Sequence, residues 1–254
     1  MKAKSVFVGL ASGAALALSA VSASADGAYR GGAVVAPYNW SGLYVGANAG
    51  YGWGDADWQG PAAFFGVNTF STDPRGGLVG GHIGYQHQWG HIVAGVEVSY
   101  DAAWLKDTVV GPVVAPVPFP NDRFKTEIND LLLVVGRLGY ATNNFLLYGK
   151  AGFASSNVEL SGRSGVPIAG VTFNQDERLT GWTAGAGLEF MLSRNIILGV
   201  EYNYVRLDNE PFDMRSGGAI VGIPLFVNLD DVRIQTVMAR LSYKFGGDRA
   251  APLK

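Results

Sequence analysis

Eight stretches of this chain alternate one apolar residue with one small or polar residue. A period of two is the geometry of a β-strand with two unlike faces. The stretches are 42–54, 77–89, 91–104, 129–142, 145–157, 179–191, 196–208 and 232–245. In the first, Leu43, Val45, Ala47, Ala49, Tyr51 and Trp53 share one parity, and Tyr44, Gly46, Asn48, Gly50 and Gly52 share the other. Such a strand needs an apolar medium against one of its faces.

The connections alternate strictly between short and long. Gly90, Thr142-Asn143-Asn144 and Leu192-Ser193-Arg194-Asn195 read as tight turns, and 55–76, 105–128, 158–178 and 209–231 as long loops. Four long structureless loops count against a compact soluble domain. They are the usual arrangement of an outer-membrane barrel, with short turns in the periplasm and long loops outside. The stretches also exceed the ~9–11 residues with which a tilted strand crosses the hydrocarbon, so their surplus is expected to project, mainly outward. The expected fold is all-β, an eight-stranded antiparallel up-and-down transmembrane β-barrel over residues 40–245.

Charge decides which face meets lipid. With the apolar parity outward, the inner parity carries Glu97, Asp101, Arg137, Lys150, Glu189, Glu201, Arg240 and Lys244, four acidic and four basic. Turned toward lipid, each charge near the midplane would cost roughly 2–4 kcal/mol, and several together would exceed the ~5–15 kcal/mol stability of a domain. Turned inward, they can pair and form a plug rather than an ion path. Asp130, Arg206 and Arg233 fall on the lipid parity and are expected at strand ends beside the long loops.

The aromatics fall at both ends of the lipid parity. Tyr51, Trp53, Tyr100, Trp104, Trp182, Tyr202 and Tyr204 mark the loop side, and Tyr85, Trp89, Tyr140, Phe190, Tyr243 and Phe245 the turn side. Two girdles at headgroup level are what a spanning barrel requires. Inner-parity glycines (Gly46, Gly50, Gly52, Gly80, Gly84, Gly185 and Gly187) leave room for the long side chains opposite. Leu131, Leu133 and Val135 are apolar yet on the inner parity, so either they lie above the charged layer or a bulge shifts the register.

Composition agrees with a chain partly covered by something other than water. Charged residues are 16%, well under the roughly one quarter of an ordinary soluble domain. The leader "MKAKSVFVGLASGAALALSAVSASA" has Lys2 and Lys4 before an uncharged run and ends in Ala23-Ser24-Ala25, a secretory signal peptide (1–25) cleaved after Ala25. Residues 26–39 lack periodicity and are expected to be a flexible lead-in, and 246–254 a short tail. No other run approaches the ~18 apolar residues of a spanning helix. The chain has no cysteine, which excludes disulfides and thiolate metal sites. Its acidic balance after cleavage gives no reason to expect nucleic acid as a partner.

These residues carry a resemblance. The stretches "YNWSGLYVGANAGYGWG", "GRLGYATNNFLLYGKAGFA", "GWTAGAGLEFMLSRNIILGVEYNYVRL" and "ARLSYKF", in this order, resemble the small outer-membrane β-barrel proteins of Gram-negative bacteria, of the opacity-protein and OmpA-like kind within the porin family. The resemblance implies location in the cell outer membrane and roles in envelope structure or surface interaction rather than catalysis. It also implies that the closing-strand aromatic, here Phe245, serves the insertion machinery. Such an aromatic is commonly the last residue, whereas here "GGDRAAPLK" follows, a tail too short for a peptidoglycan-binding domain.

Catalytic and metal sites find little support. His82 falls on the inner parity, His87 on the lipid parity and His91 beside a turn, so they do not converge as an acyl-transfer centre would need. His87 and His91, on strands separated by a turn, make a loose metal pair. "GANAGYG" has no helix after it to bind phosphate. No cofactor, metal or catalytic residue is expected. The expected function is a monomeric structural barrel contributing to envelope integrity and surface interaction, in contact with membrane lipid and lipopolysaccharide. The alternatives are a small-diameter porin-like channel, or adhesion and capture of an extracellular or host ligand through the loops.

Overall fold

The computed structural model describes residues 38–59, 69–110, 123–163, 172–208, 211–215 and 224–245. The expected signal peptide, most of the expected lead-in, parts of the expected long loops and the expected tail lie outside the described residues. Ten strands follow in chain order: β1 (Gly42–Gln59), β2 (Thr69–Thr72), β3 (Arg75–Trp89), β4 (Ile92–Val110), β5 (Arg123–Thr142), β6 (Phe145–Arg163), β7 (Thr172–Met191), β8 (Ile196–Leu207), β9 (Pro211–Arg215) and β10 (Pro224–Lys244). Every pairing is antiparallel. Eight long strands run in the order β1-β3-β4-β5-β6-β7-β8-β10, and β1 pairs with β10 from Tyr44 and Lys244 onward. That last ladder closes the sheet, so the long strands pair on both sides and no long edge is left open.

The short turns use residues suited to them. Gly90 and Asn143 both have positive φ, +59° and +49°, a region that glycine and asparagine enter more readily than other residues.

The expected long loops are a correction. Strand structure enters all four of them: β1 runs to Gln59, β4 to Val110, β6 to Arg163, while β5 begins at Arg123, β7 at Thr172 and β10 at Pro224. The short β2 and β9 add further pairing to the ends of β1 and β10. Alternation weakened there because the residues that face inward and outward change character along the strand. Asp130 and Arg233 are consequently well inside β5 and β10 rather than at strand ends; Arg206 is next to the last residue of β8.

That change of character organises the molecule. In the half nearest the turns, the outer face is exposed and apolar, with Val96, Leu138, Leu147 and Val200 all more than half exposed, while the inner face is polar and buried. In the loop-side half the outer face carries Asp55, Arg75, Lys106, Asp176, Arg178, Arg206 and Arg233. The inner face there is an apolar core containing Leu78, Leu105, Ile128, Leu131, Val158, Leu179, Leu207, Val232 and Ile234. Leu131, Leu133 and Val135 belong to this core. Both explanations of them hold in part: they lie in the apolar layer and remain inward, although the register shifts beside them between Ile128 and Leu132.

Candidate functional site

The buried polar interior is the chemically richest part of the molecule. Alternation along β4, β5, β6, β7, β8 and β10 points Glu97, Asp101, Arg137, Lys150, Glu189, Glu201, Arg240 and Lys244 to the axis, and all eight are buried. Six of them join in one network. Arg137 meets Glu97 at 2.9 Å and Glu189 at 2.8 Å. Arg240 meets Glu97 at 2.5 Å and also pairs with Glu201. Lys150 completes it, 2.7 Å from Glu201 and 3.9 Å from Glu97. Arg137 and Lys150 are direct cross-strand partners, an arrangement that repels. It is tolerated because Arg137 turns to Glu97 and Glu189 while the short contact of Lys150 is to Glu201.

Two tyrosines, not singled out as site residues from the sequence, tie the network together. The Tyr44 hydroxyl donates to Glu97 Oε2 at 2.8 Å and accepts from Arg137 Nη1 at 2.8 Å. The Tyr148 hydroxyl donates to Glu201 Oε2 at 2.7 Å. The Arg137 guanidinium also lies over the Tyr148 ring, 3.9 Å from its centroid. Both rings fit because glycine faces them: a β-carbon at Gly84 would collide with the Tyr44 hydroxyl, and one at Gly187 with the Tyr148 ring. An ion cluster buried this deeply is tolerated only when its charges and remaining lone pairs are matched, and the tyrosines supply much of that matching.

The other two charges have separate tasks. Asp101 accepts from Asn48 Nδ2 at 3.1 Å. The Asn48 oxygen then faces His82 Nδ1 at 2.6 Å, and His82 Nε2 faces the Ser242 hydroxyl at 2.7 Å. With the asparagine nitrogen committed to Asp101, its oxygen accepts from Nδ1–H, and Nε2 accepts the serine proton. Serine and histidine thus stand at the separation of a nucleophile and its base, a contact the spacing of the histidines did not reveal. The two are distant in sequence and meet across β1, where both are register partners of Gly46 and a β-carbon on that glycine would strike the His82 ring; both are buried in the packed interior. His87 packs against Trp89 on the outer wall and His91 against Tyr140, so the three histidines do not meet. Lys244 donates to the carbonyls of Asn39 at 2.7 Å and Ser41 at 3.3 Å.

The aromatic residues stand on the outer face at both ends of the apolar zone. Tyr51, Trp53, Tyr85, Trp89, Tyr100, Trp104, Tyr140, Trp182, Tyr202, Tyr243 and Phe245 are exposed. Phe190 and Tyr204 are half-covered, by Phe145 and Trp182 respectively. Next to the loop-side aromatics, cations rest on the half-buried Glu127 and the buried Asp130. Lys106 and Lys125 sit 2.7 and 2.8 Å from Glu127, and Arg178 sits 2.7 Å from Asp130. Asp130, at the bulge in β5, also accepts from the Asn157 backbone and the Tyr100 hydroxyl.

A closed antiparallel barrel with an apolar outer zone and a charged axis is the form in which strands cross an outer membrane. Residues 11–245 match the family model described as outer membrane protein beta-barrel domain. The chain belongs to that family. This outer membrane beta-barrel protein is 30% identical over 242 residues to the 25 kDa outer-membrane immunogenic protein of Brucella canis, covering 93% of this chain and 96% of the relative. It is 29% identical over 222 residues to the 31 kDa outer-membrane immunogenic protein of Brucella melitensis, covering 84% and 87%. Among solved structures it is similar to the outer membrane protease OmpT of Escherichia coli, with a TM-score of 0.52 and 12% identity over 80% of this chain and 97% of that one. At that identity the likeness concerns the fold alone.

Proposed function

We propose that this outer-membrane barrel is a monomeric, non-catalytic structural element of the envelope, whose filled lumen transmits little and whose outer half carries the loops. The observation that supports it is the six-membered charge network across the axis, which fills the lumen with mutually bound side chains. In this reading the two sets of exposed aromatics sit at headgroup level. Lys106, Lys125 and Arg178 contact the lipopolysaccharide leaflet, and Phe245 is read by the insertion machinery. Planar-bilayer recording of the refolded protein tests the first part: reproducible channels would replace this role with that of a small-diameter porin. Deletion of the gene tests the second, with increased sensitivity to detergent as the expected phenotype.

A second role, presentation of the loops to an extracellular partner, is favoured by the apolar core of the outer half, which gives the loops a rigid base. The names of the Brucella relatives, which call them immunogenic, are in keeping with surface exposure. Replacing 111–122 and 216–223 with short linkers is expected to leave the barrel folded and to abolish attachment. Unchanged attachment would remove this second role.

A further inference from the structure

The four residues before β1 do not hang free. Trp40 is fully buried, in one apolar cluster with Val93 of β4, Ala141 of β5, Leu146 of β6, Met191 of β7 and Ile197 of β8, inward side chains near the turns. The cluster around this one side chain thus draws on five of the eight long strands at the turn-side mouth. The backbone around it is held at separate places on the rim. Trp40 N–H donates to Gln88 Oε1 at 2.8 Å, and the Trp40 carbonyl accepts from Gln86 Nε2 at 2.9 Å, both on β3. The indole Nε1 donates to the Asn143 carbonyl in the β5–β6 turn at 3.3 Å. Lys244, near the end of β10, holds the carbonyls on either side of the tryptophan.

The chain enters this position through Gly42. Its φ of +142° is a conformation that side chains rarely adopt, and a β-carbon there would strike the Phe245 carbonyl. A glycine at the hinge, an indole in the mouth and polar ties from three parts of the rim describe a fitted part, not a strand end that happens to curl inward. Lys244 lies on the last strand and Gln86 and Gln88 lie on β3, so the ties are complete only once β1 and β10 have closed the barrel.

We infer that the segment Asn39–Ser41 is a stopper that seals the periplasmic mouth of the lumen, separating the buried charge network from periplasmic water. The chain contains no cysteine, so a single introduced thiol reports on the seal. Ala141→Cys places it in the apolar cluster that contains Trp40, and Ala154→Cys, in the loop-side apolar core, serves as the control. The full mature protein, refolded in lipid nanodiscs that leave both ends open to solvent, is treated with a charged methanethiosulfonate reagent. Folding is verified by heat-modifiable mobility on gels. The thiol at 141 is expected to be protected with Trp40 present and to react about tenfold faster or more with Trp40→Ala, as local opening exposes it; the thiol at 154 stays protected in both. Lys244→Met, which keeps the side-chain length and removes the ties to the segment, is expected to give an intermediate rate and carries the comparison should Trp40→Ala fail to fold. Equal reaction at 141 with and without Trp40 in folded protein, whether fast or slow, would overturn the inference.

Discussion

The membrane half and the outer half of this barrel are continuous along the same strands and have opposite polarity. On β4, Val96 and Val98 face out while Glu97 faces in; some residues farther along, Lys106 faces out and Leu105 faces in. The hydrophobic effect removes apolar surface from water and has no preference between a lipid chain and another leucine. Where lipid covers the wall, the interior need not be apolar and can hold Glu97, Arg137, Lys150, Glu189, Glu201 and Arg240. Where water covers it, the interior has to be apolar, and Leu105, Ile128, Leu131, Leu179 and Leu207 make it so. The loop-side aromatics stand where the outer face passes from apolar to charged.

The comparison can be broken most directly at the centre of the membrane half. Glu97→Leu leaves Arg137 and Arg240 buried against fewer carboxylates, and an expected loss of about 3–5 kcal/mol would appear in urea unfolding of the barrel refolded into lipid vesicles. In the outer half the corresponding weak point is apolar. Leu105→Ala, at a fully buried position, is expected to cost about 2–5 kcal/mol by the same measurement, and a neutral result would show that the outer core is not packed.

Placing a charge on the outer face sharpens where the boundary lies. Val200→Arg, on the exposed apolar zone of β8, is expected to lose about 2–4 kcal/mol, as a cation does near the midplane. A second arginine on that face already stands at Arg206 beyond the tyrosines, and Arg206→Val is expected to change stability by no more than about 0.5 kcal/mol. If the two substitutions cost the same, the membrane does not end at the aromatic level. A small effect is also expected at Lys106→Gln, where an ion pair to Glu127 with a half-exposed lysine contributes about 0.2–1 kcal/mol, diminishing as salt is added.

Much of the fold was legible because its cause is local. Alternation at Leu43 to Trp53, and its repeats, required strands whatever surrounded them. Charge on one parity of the central stretches fixed the inner face, since Glu97 and Arg137 are not tolerable against lipid. The outer half was read as loop because the charges on its outer face, Arg75, Lys106 and Arg178, and the apolar residues within reverse the pattern used to recognise the strands. Within the interior, the eight charges were legible as a set, but their partners were not. Tyr44 and Tyr148 looked like further inner-face residues, and Asn48, His82, Asp101 and Ser242 belong to four strands whose approach depends on register around the barrel. Trp40 read as the start of the barrel and Asn39 as the end of a lead-in; nothing periodic marked a segment that folds under it.

By itself, then, the sequence determined that the chain makes a closed antiparallel barrel with an apolar exterior zone and a charged axis. Side-chain parity and the solvation cost of charge are properties of each strand taken alone. Only the tertiary structure decided which carboxylate each cation meets, where the outer face of the wall changes from apolar to charged, and what occupies the turn-side mouth. Those depend on stagger between strands and on curvature, which bring Glu97 to Arg240 across 143 residues and Lys244 to Asn39 across 205, separations over which no local pattern carries information.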